Sequence, residues 1–154
     1  MSKNLVTAFL LNLFLGMFAS QWTFADDLTG ILIVELSGLK DVTGDVYIAV
    51  YNSEDDWLSE DAVFASEKVA IADALDGELV RTELQLPLDD YALTVFYDAD
   101  GDGELNTNFI GIPKEPFAMS NNAVAKFGPP KYDEAVFTLG AEPLIQHIVI
   151  QTLE

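Results

Sequence analysis

The chain has 154 residues, with 26 acidic side chains against 7 Lys and Arg, a formal charge of −19. Half of its residues are hydrophobic, which excludes an acidic disordered chain and supplies enough apolar mass for one domain with a core. A surface this negative repels nucleic acid and anionic lipid and attracts divalent cations, and with no cysteine the fold cannot be stapled by disulfides.

Residues 1–25 carry the order of a secretory signal peptide. Lys3 is the only charge before Asp26, an apolar run covers residues 5–19, and Thr23 and Ala25 offer a small-x-small cleavage site. The run is short for a membrane span, which needs roughly 20 residues; an uncleaved anchor is the alternative. Cleavage removes Lys3 and no acid, leaving six basic residues against 26 acidic ones and a charge of −20. The expected mature product, residues 26–154, is a secreted or periplasmic domain without stable membrane insertion.

Short alternating segments follow. "LTGILIVELSG" predicts a first strand with Leu32, Val34 and Leu36 on one face, and "GDVYIAVYN" a second with Val46, Ile48 and Val50 inward. "SEDDWLSEDAVF" breaks the period and leaves room for a helical turn around Trp57, read as a partly buried cap. "EKVAIA" is a weak strand. "ELVRTELQLPL" alternates cleanly, with Val80, Thr82, Leu84 and Leu86 inward, and "YALTVFYD" returns after the tight "LDD" turn. "EAVFTLG" and "LIQHIVIQTL" close the chain. About seven strands at this spacing predict an all-β fold, a single antiparallel β-sandwich of immunoglobulin-like or transthyretin-like kind. Tyr91 is either a corner tyrosine tying down the preceding turn or an ordinary core aromatic. One long irregular region, residues 98–133, holds four prolines and four aromatics and is expected to be ordered and packed.

The chemistry concentrates in "DADGDGELNTN", residues 98–108. A calcium loop of the helix–loop–helix kind draws ligands from positions 1, 3, 5, 7, 9 and 12, with glycine at 6. Counted from Asp98, Asp100 and Asp102 fall at 3 and 5, Gly103 at 6, Glu104 at 7 (a backbone carbonyl position) and Asn106 at 9. Leu105, at 8, is the apolar residue expected to pin the loop to the core. Position 12 calls for a bidentate Glu and is Phe109. Three carboxylates within five residues repel one another unless a cation sits between them, so calcium is the expected cofactor; the alternative is a solvated acidic turn, since Asp-Gly is itself a turn signal. A strand precedes the loop, so no helix pair is predicted. Asn108 and Glu115 are the candidate further ligands.

From residue 91 to 135 the order of elements resembles the secreted bacterial domain-of-unknown-function family 2141. The resemblance rests on a strand ending in an acid, the D/N-rich glycine loop, "GIPKE" at residues 111–115, "SNN" at 120–122, "GPP" at 128–130 and the segment of Tyr132 to Ala135. Its strand pattern extends back to about Leu28. It implies a small exported β-sandwich with no assigned enzymatic activity. Asn106 departs from the family's usual Asp, which shuffles the ligand set.

"SNNAVAKFGPPKYDEA" reads as turn chemistry, with Ser and Asn bonding neighbouring backbone and prolines stiffening the return. A second reading makes Asn121, Asn122, Phe127 and Tyr132 a surface for a glycan or an envelope protein. Signals for catalysis are lacking: His147 stands alone on one strand face, and there is no thiol nucleophile, GxSxG or phosphate loop. The expected function is a non-enzymatic binding or envelope-associated module with a structural calcium loop; the alternative is a carbohydrate-active enzyme or its accessory domain.

Overall fold

The computed structural model describes residues 28–39, 43–98, 100–109, 113–124 and 128–150. The predicted signal peptide and Phe127 lie outside them. Nine strands form in chain order: β1 (Thr29–Ser37), β2 (Asp45–Tyr51), β3 (Ala65–Ala70), β4 (Leu75–Asp76), β5 (Leu79–Pro87), β6 (Asp89–Asp98), β7 (Phe117–Met119), β8 (Phe137–Leu139) and β9 (Leu144–Val149). Among the described residues two α-helical turns, α1 (Ile71–Ala74) and α2 (Tyr132–Ala135), and two 3-10 turns, Glu60–Ala62 and Ser120–Asn122, interrupt them.

The strands make two sheets. One has the order β4-β5-β1-β9, the other β3-β2-β6-β7, with β8 pairing the start of β6. Period-two patterning decides which side chains meet between them, because successive residues of a strand point to opposite faces. Leu32, Val34 and Leu36 of β1, Val46, Ile48 and Val50 of β2, Val80, Leu84 and Leu86 of β5, and Leu93 and Val95 of β6 are all buried in one core. Of the inward residues named from sequence only Thr82 stays out of the core, half-buried with its hydroxyl 3.5 Å from Glu67, and the fold is an all-β sandwich.

Three details differ from expectation. All the strand pairs are antiparallel except β1 and β9, which run parallel in the register Leu32 to Leu144 through Ser37 to Val149. The chain crosses from β8 in one sheet to β9 in the other, and arrives beside its first strand pointing the same way. The third strand occupies Ala65–Ala70, and Ile71, expected within it, opens α1 and is fully buried. The strand expected over "EAVFTLG" shortens to Phe137–Leu139, because Tyr132–Ala135 turn into α2.

Trp57 caps the sandwich as predicted. Its ring meets Tyr51 and Tyr132 edge-on, at 5.2 and 5.9 Å between centroids, and its indole N–H donates to the Pro130 carbonyl at 2.8 Å. Tyr91 is a corner tyrosine: it is fully buried, and its hydroxyl donates to the Pro87 carbonyl, four residues back, at 3.1 Å. Burial holds its phenol above the usual range. Among the described residues no helix is long and apolar enough to cross a membrane.

Candidate functional site: an aspartate loop on the end of β6

Strand β6 ends at Asp98, directly opposite Asp45 at the start of β2. Asp98 is 3 % exposed. A buried carboxylate needs hydrogen-bond donors, and the loop supplies them: Oδ1 accepts the Gly101 N–H at 2.7 Å and Oδ2 accepts the Gly103 N–H at 3.0 Å. Wrapping the backbone around one carboxylate requires sharp turns. Gly101 and Gly103 take them with φ of +79° and +81°, a region that side chains rarely enter.

The next two aspartates repeat the device toward solvent. Asp100 Oδ1 accepts the Asp102 N–H at 3.3 Å, and Asp102 Oδ1 accepts the Glu104 N–H at 2.9 Å. The outcome is that Asp98, Asp100 and Asp102 present oxygens within 4.8 Å of one another, the first buried and the other two exposed. Asn106 closes the ring, its amide nitrogen lying 3.3 Å from Asp100 Oδ2 and 2.9 Å from Asp102 Oδ2. The N–H of Glu104, and then the Asn106 and Asp100 side chains, hold the Asp102 carboxyl below its ordinary value.

The chain then folds back on itself. Thr107 bridges Pro113, Lys114 donates its N–H to the Asn106 carbonyl at 2.8 Å, and Tyr97 donates to the Pro116 carbonyl at 2.9 Å. This brings Glu115 to the loop, but not into the carboxylate group. Glu115 is buried, and its Oε2 accepts the Asn106 N–H at 3.0 Å. It clamps the loop backbone, while the oxygens at metal-ligand spacing belong to the three aspartates. Asn108 is half-buried on the return, and Glu104 is exposed. Leu105 does not pin the loop to the core: it is 37 % exposed, and Phe109, at the twelfth position, is 98 % exposed. The pinning is polar instead, through Asp98 and Glu115, because a loop that projects beyond the last strand pair has no apolar core beneath it.

The "SNN" motif forms a local 3-10 turn, Ser120–Asn122, and its side chains serve as a long-range clamp as well. Ser120 is fully buried; its hydroxyl accepts the Leu93 N–H at 3.0 Å and donates to the Ala135 carbonyl at 2.6 Å, partners 27 and 15 residues away. Asn121 donates its side-chain amide to the Val136 carbonyl, and its N–H to Gln146 Oε1. Asn122 grips β9: its amide donates to the His147 carbonyl and accepts the Val149 N–H, both at 2.8 Å. One amide thus plays the part of a neighbouring strand along the edge of β9. The amides proposed from sequence as a partner surface are committed within the protein, and Tyr132, half-buried, directs its hydroxyl to the Asp90 carbonyl at 3.4 Å. Nothing local to "SNN" announces these partners; only a buried Ser beside two amides hints at them.

His147 lies on the outer face of β9, with Nδ1 2.8 Å from Glu35 of the neighbouring β1. That is the surface position expected for it.

One family's sequence profile matches residues 34–146, that of the uncharacterized proteins conserved in bacteria grouped as DUF2141. The match begins within β1, ends within β9, and includes the aspartate loop and the Ser120 clamp. The chain belongs to this family. DUF2141 therefore covers the sandwich and not only the segment from residue 91 to 135 that resembles it most plainly. Nothing among curated proteins or solved structures matches the chain.

Proposed function

We propose that this DUF2141 protein is an extracytoplasmic, non-enzymatic binding or envelope-associated module whose aspartate loop holds a structural calcium ion. The observation that carries the metal reading is the convergence of Asp98, Asp100 and Asp102, with oxygens within 4.8 Å of one another on a loop whose own N–H groups fix their directions. Each carboxylate oxygen has two lone pairs, so an N–H leaves acceptor capacity for a cation. Calcium takes six to eight oxygens in irregular geometry. The three aspartates, the Glu104 carbonyl and water are a suitable donor set, and Asn106 joins it when its amide turns to present oxygen. Magnesium suits the loop less, since it dehydrates reluctantly and demands octahedral geometry.

The extracytoplasmic reading is supported by the N-terminal order of lysine, apolar run and small residues. An ion at the end of β6 would neutralise the mutual repulsion of the carboxylates and fasten the return segment to the sandwich, without making the protein a calcium sensor. Calorimetric titration with calcium after chelation tests the metal. Saturable binding that Asp100→Ala abolishes is expected; equal heats in both proteins would sink the site.

A further inference from the structure

The β4–β5 hairpin is unequal. β4 covers only two residues of β5, with Leu75 opposite Val80 and Asp76 opposite Leu79, because the preceding residues coil into α1 instead of extending the strand. Among the described residues β5 continues to Pro87 with β1 on one side alone. The register shows where its backbone groups point. Leu88 donates its N–H to the Leu28 carbonyl at 2.9 Å, continuing the ladder of β1 and β5 by one pair. Opposed residues of an antiparallel pair alternate between bonded and non-bonded, so Thr82, Leu84 and Leu86 bond β1. Arg81, Glu83 and Gln85 turn their N–H and C=O groups to the other side, where the pairing of Leu75 with Val80 engages Arg81 and, among the described residues, no strand pairs with Glu83 or Gln85. The same phase aims Leu79 at β4, in agreement with the hairpin.

A cleft of about 590 Å³ opens beside the Arg81–Glu83 part of this edge, between β3, α1, β4 and β5. Ala74 and half-open Leu75 give it an apolar patch, and Glu67, Asp73, Asp76 and Glu83 make it acidic. Its two bases are already engaged: Lys68 lies 2.9 Å from Asp45, and Arg81 lies 3.4 Å from Glu83 and 4.0 Å from Glu35. Among the described residues no base pairs with Asp73 or Asp76.

We propose that the open edge of β5 docks an extended basic segment of a partner polypeptide, which adds as a strand in line with β4. Outward backbone groups of Glu83 and Gln85, beyond the stretch that β4 covers, would supply the ladder, and alternate Lys or Arg side chains of the partner would reach Asp73 and Asp76. A second copy of this chain fits poorly, because it brings a charge of −19 to a surface of the same sign. This reading does not depend on the calcium loop.

The test is fluorescence anisotropy of the purified protein with a labelled peptide of alternating Lys and Val. A Glu–Val peptide and a Lys–Val peptide N-methylated at alternate residues serve as comparisons. The Lys–Val peptide binds and slows hydrogen exchange at the Glu83 and Gln85 amides. N-methylation, and separately Glu83→Pro, weaken it at least about tenfold, the loss expected when ladder bonds cannot form. Among the described residues no strand pairs with the Glu83 side of β5 that faces away from β1, so proline there is of the kind edge strands accommodate; the methylated probe on unaltered protein gives the same answer if that variant fails to fold. Equal binding of the methylated peptide, no binding, or dimerisation of the protein through this edge would each overturn the proposal.

Discussion

The carboxylate of Asp98 and the backbone N–H of Gly103 meet at 3.0 Å, and that one bond joins the last residue of β6 to the turn of the aspartate loop. Gly103 reaches it only with φ of +81°, and a Cβ added there would lie 3.3 Å from the Tyr47 hydroxyl. Gly103→Ala should therefore destabilise the protein by about 1–2 kcal/mol, the usual cost of the left-handed region for a side chain. Gly101→Ala carries the same backbone strain but meets open space. Urea unfolding of both variants should show Gly103→Ala the more damaging, and the reverse order would count against the close approach to Tyr47.

Calcium should raise the melting temperature of the unaltered protein and leave that of Asp100→Ala where it was. The effect has a definite pH dependence. Asp102 is held below its ordinary value in the folded loop, so its stabilising contribution is complete above the unfolded carboxylate value of about 3.9 and is lost as pH falls through the lower folded value. Calcium stabilisation should fade in the same acidic window, as the carboxylates take up protons. A calcium-induced shift that persisted well below that window in differential scanning calorimetry would refute the carboxylate site.

Tyr91→Phe removes the hydroxyl that ties β6 to the preceding turn and leaves the Pro87 carbonyl without that donor. A loss of about 1–2 kcal/mol is expected in chemical denaturation, with no change in calcium affinity, since Tyr91 lies at the opposite end of β6 from Asp98. Coupled losses of stability and of calcium binding would contradict that separation.

Asn122→Ala should loosen β9 in one place. The Val149 N–H and the His147 carbonyl lose their partner, and the edge of β9 opens to solvent and to other chains. Hydrogen exchange at Val149 should quicken while core amides of β2 and β6 keep their protection. Ser120→Ala, by contrast, strands the Leu93 N–H and the Ala135 carbonyl in the interior and should cost about 2 kcal/mol globally. A purely local effect of Ser120→Ala would show that its hydroxyl is not the hub described here.

The strands and their inward faces are legible because alternation is a local property: Val46, Ile48 and Val50 announce a buried face whatever lies across from it. The three aspartates are legible for the same reason, since spacing in a loop of a few residues constrains where their oxygens can go. Glu115 illustrates the limit. Proximity to the loop could be anticipated from "GIPKE", but which atom it would meet could not, and it binds the Asn106 N–H instead of joining the aspartates. Leu105 fails for a related reason. An apolar residue packs inward only where a core lies beneath it, and the loop overhangs the end of the sandwich.

Composition and period decide the class of this protein: too apolar to be disordered, and patterned for two sheets. Tertiary structure decides the rest. The parallel meeting of β1 with β9, the clamps of Ser120 and Asn122 on partners up to 27 residues away, and the open edge of β5 all arise from which segments become neighbours. Side-chain alternation costs nothing to encode locally, whereas a hydrogen bond between distant segments depends on every turn between them, and no short stretch of residues carries that information.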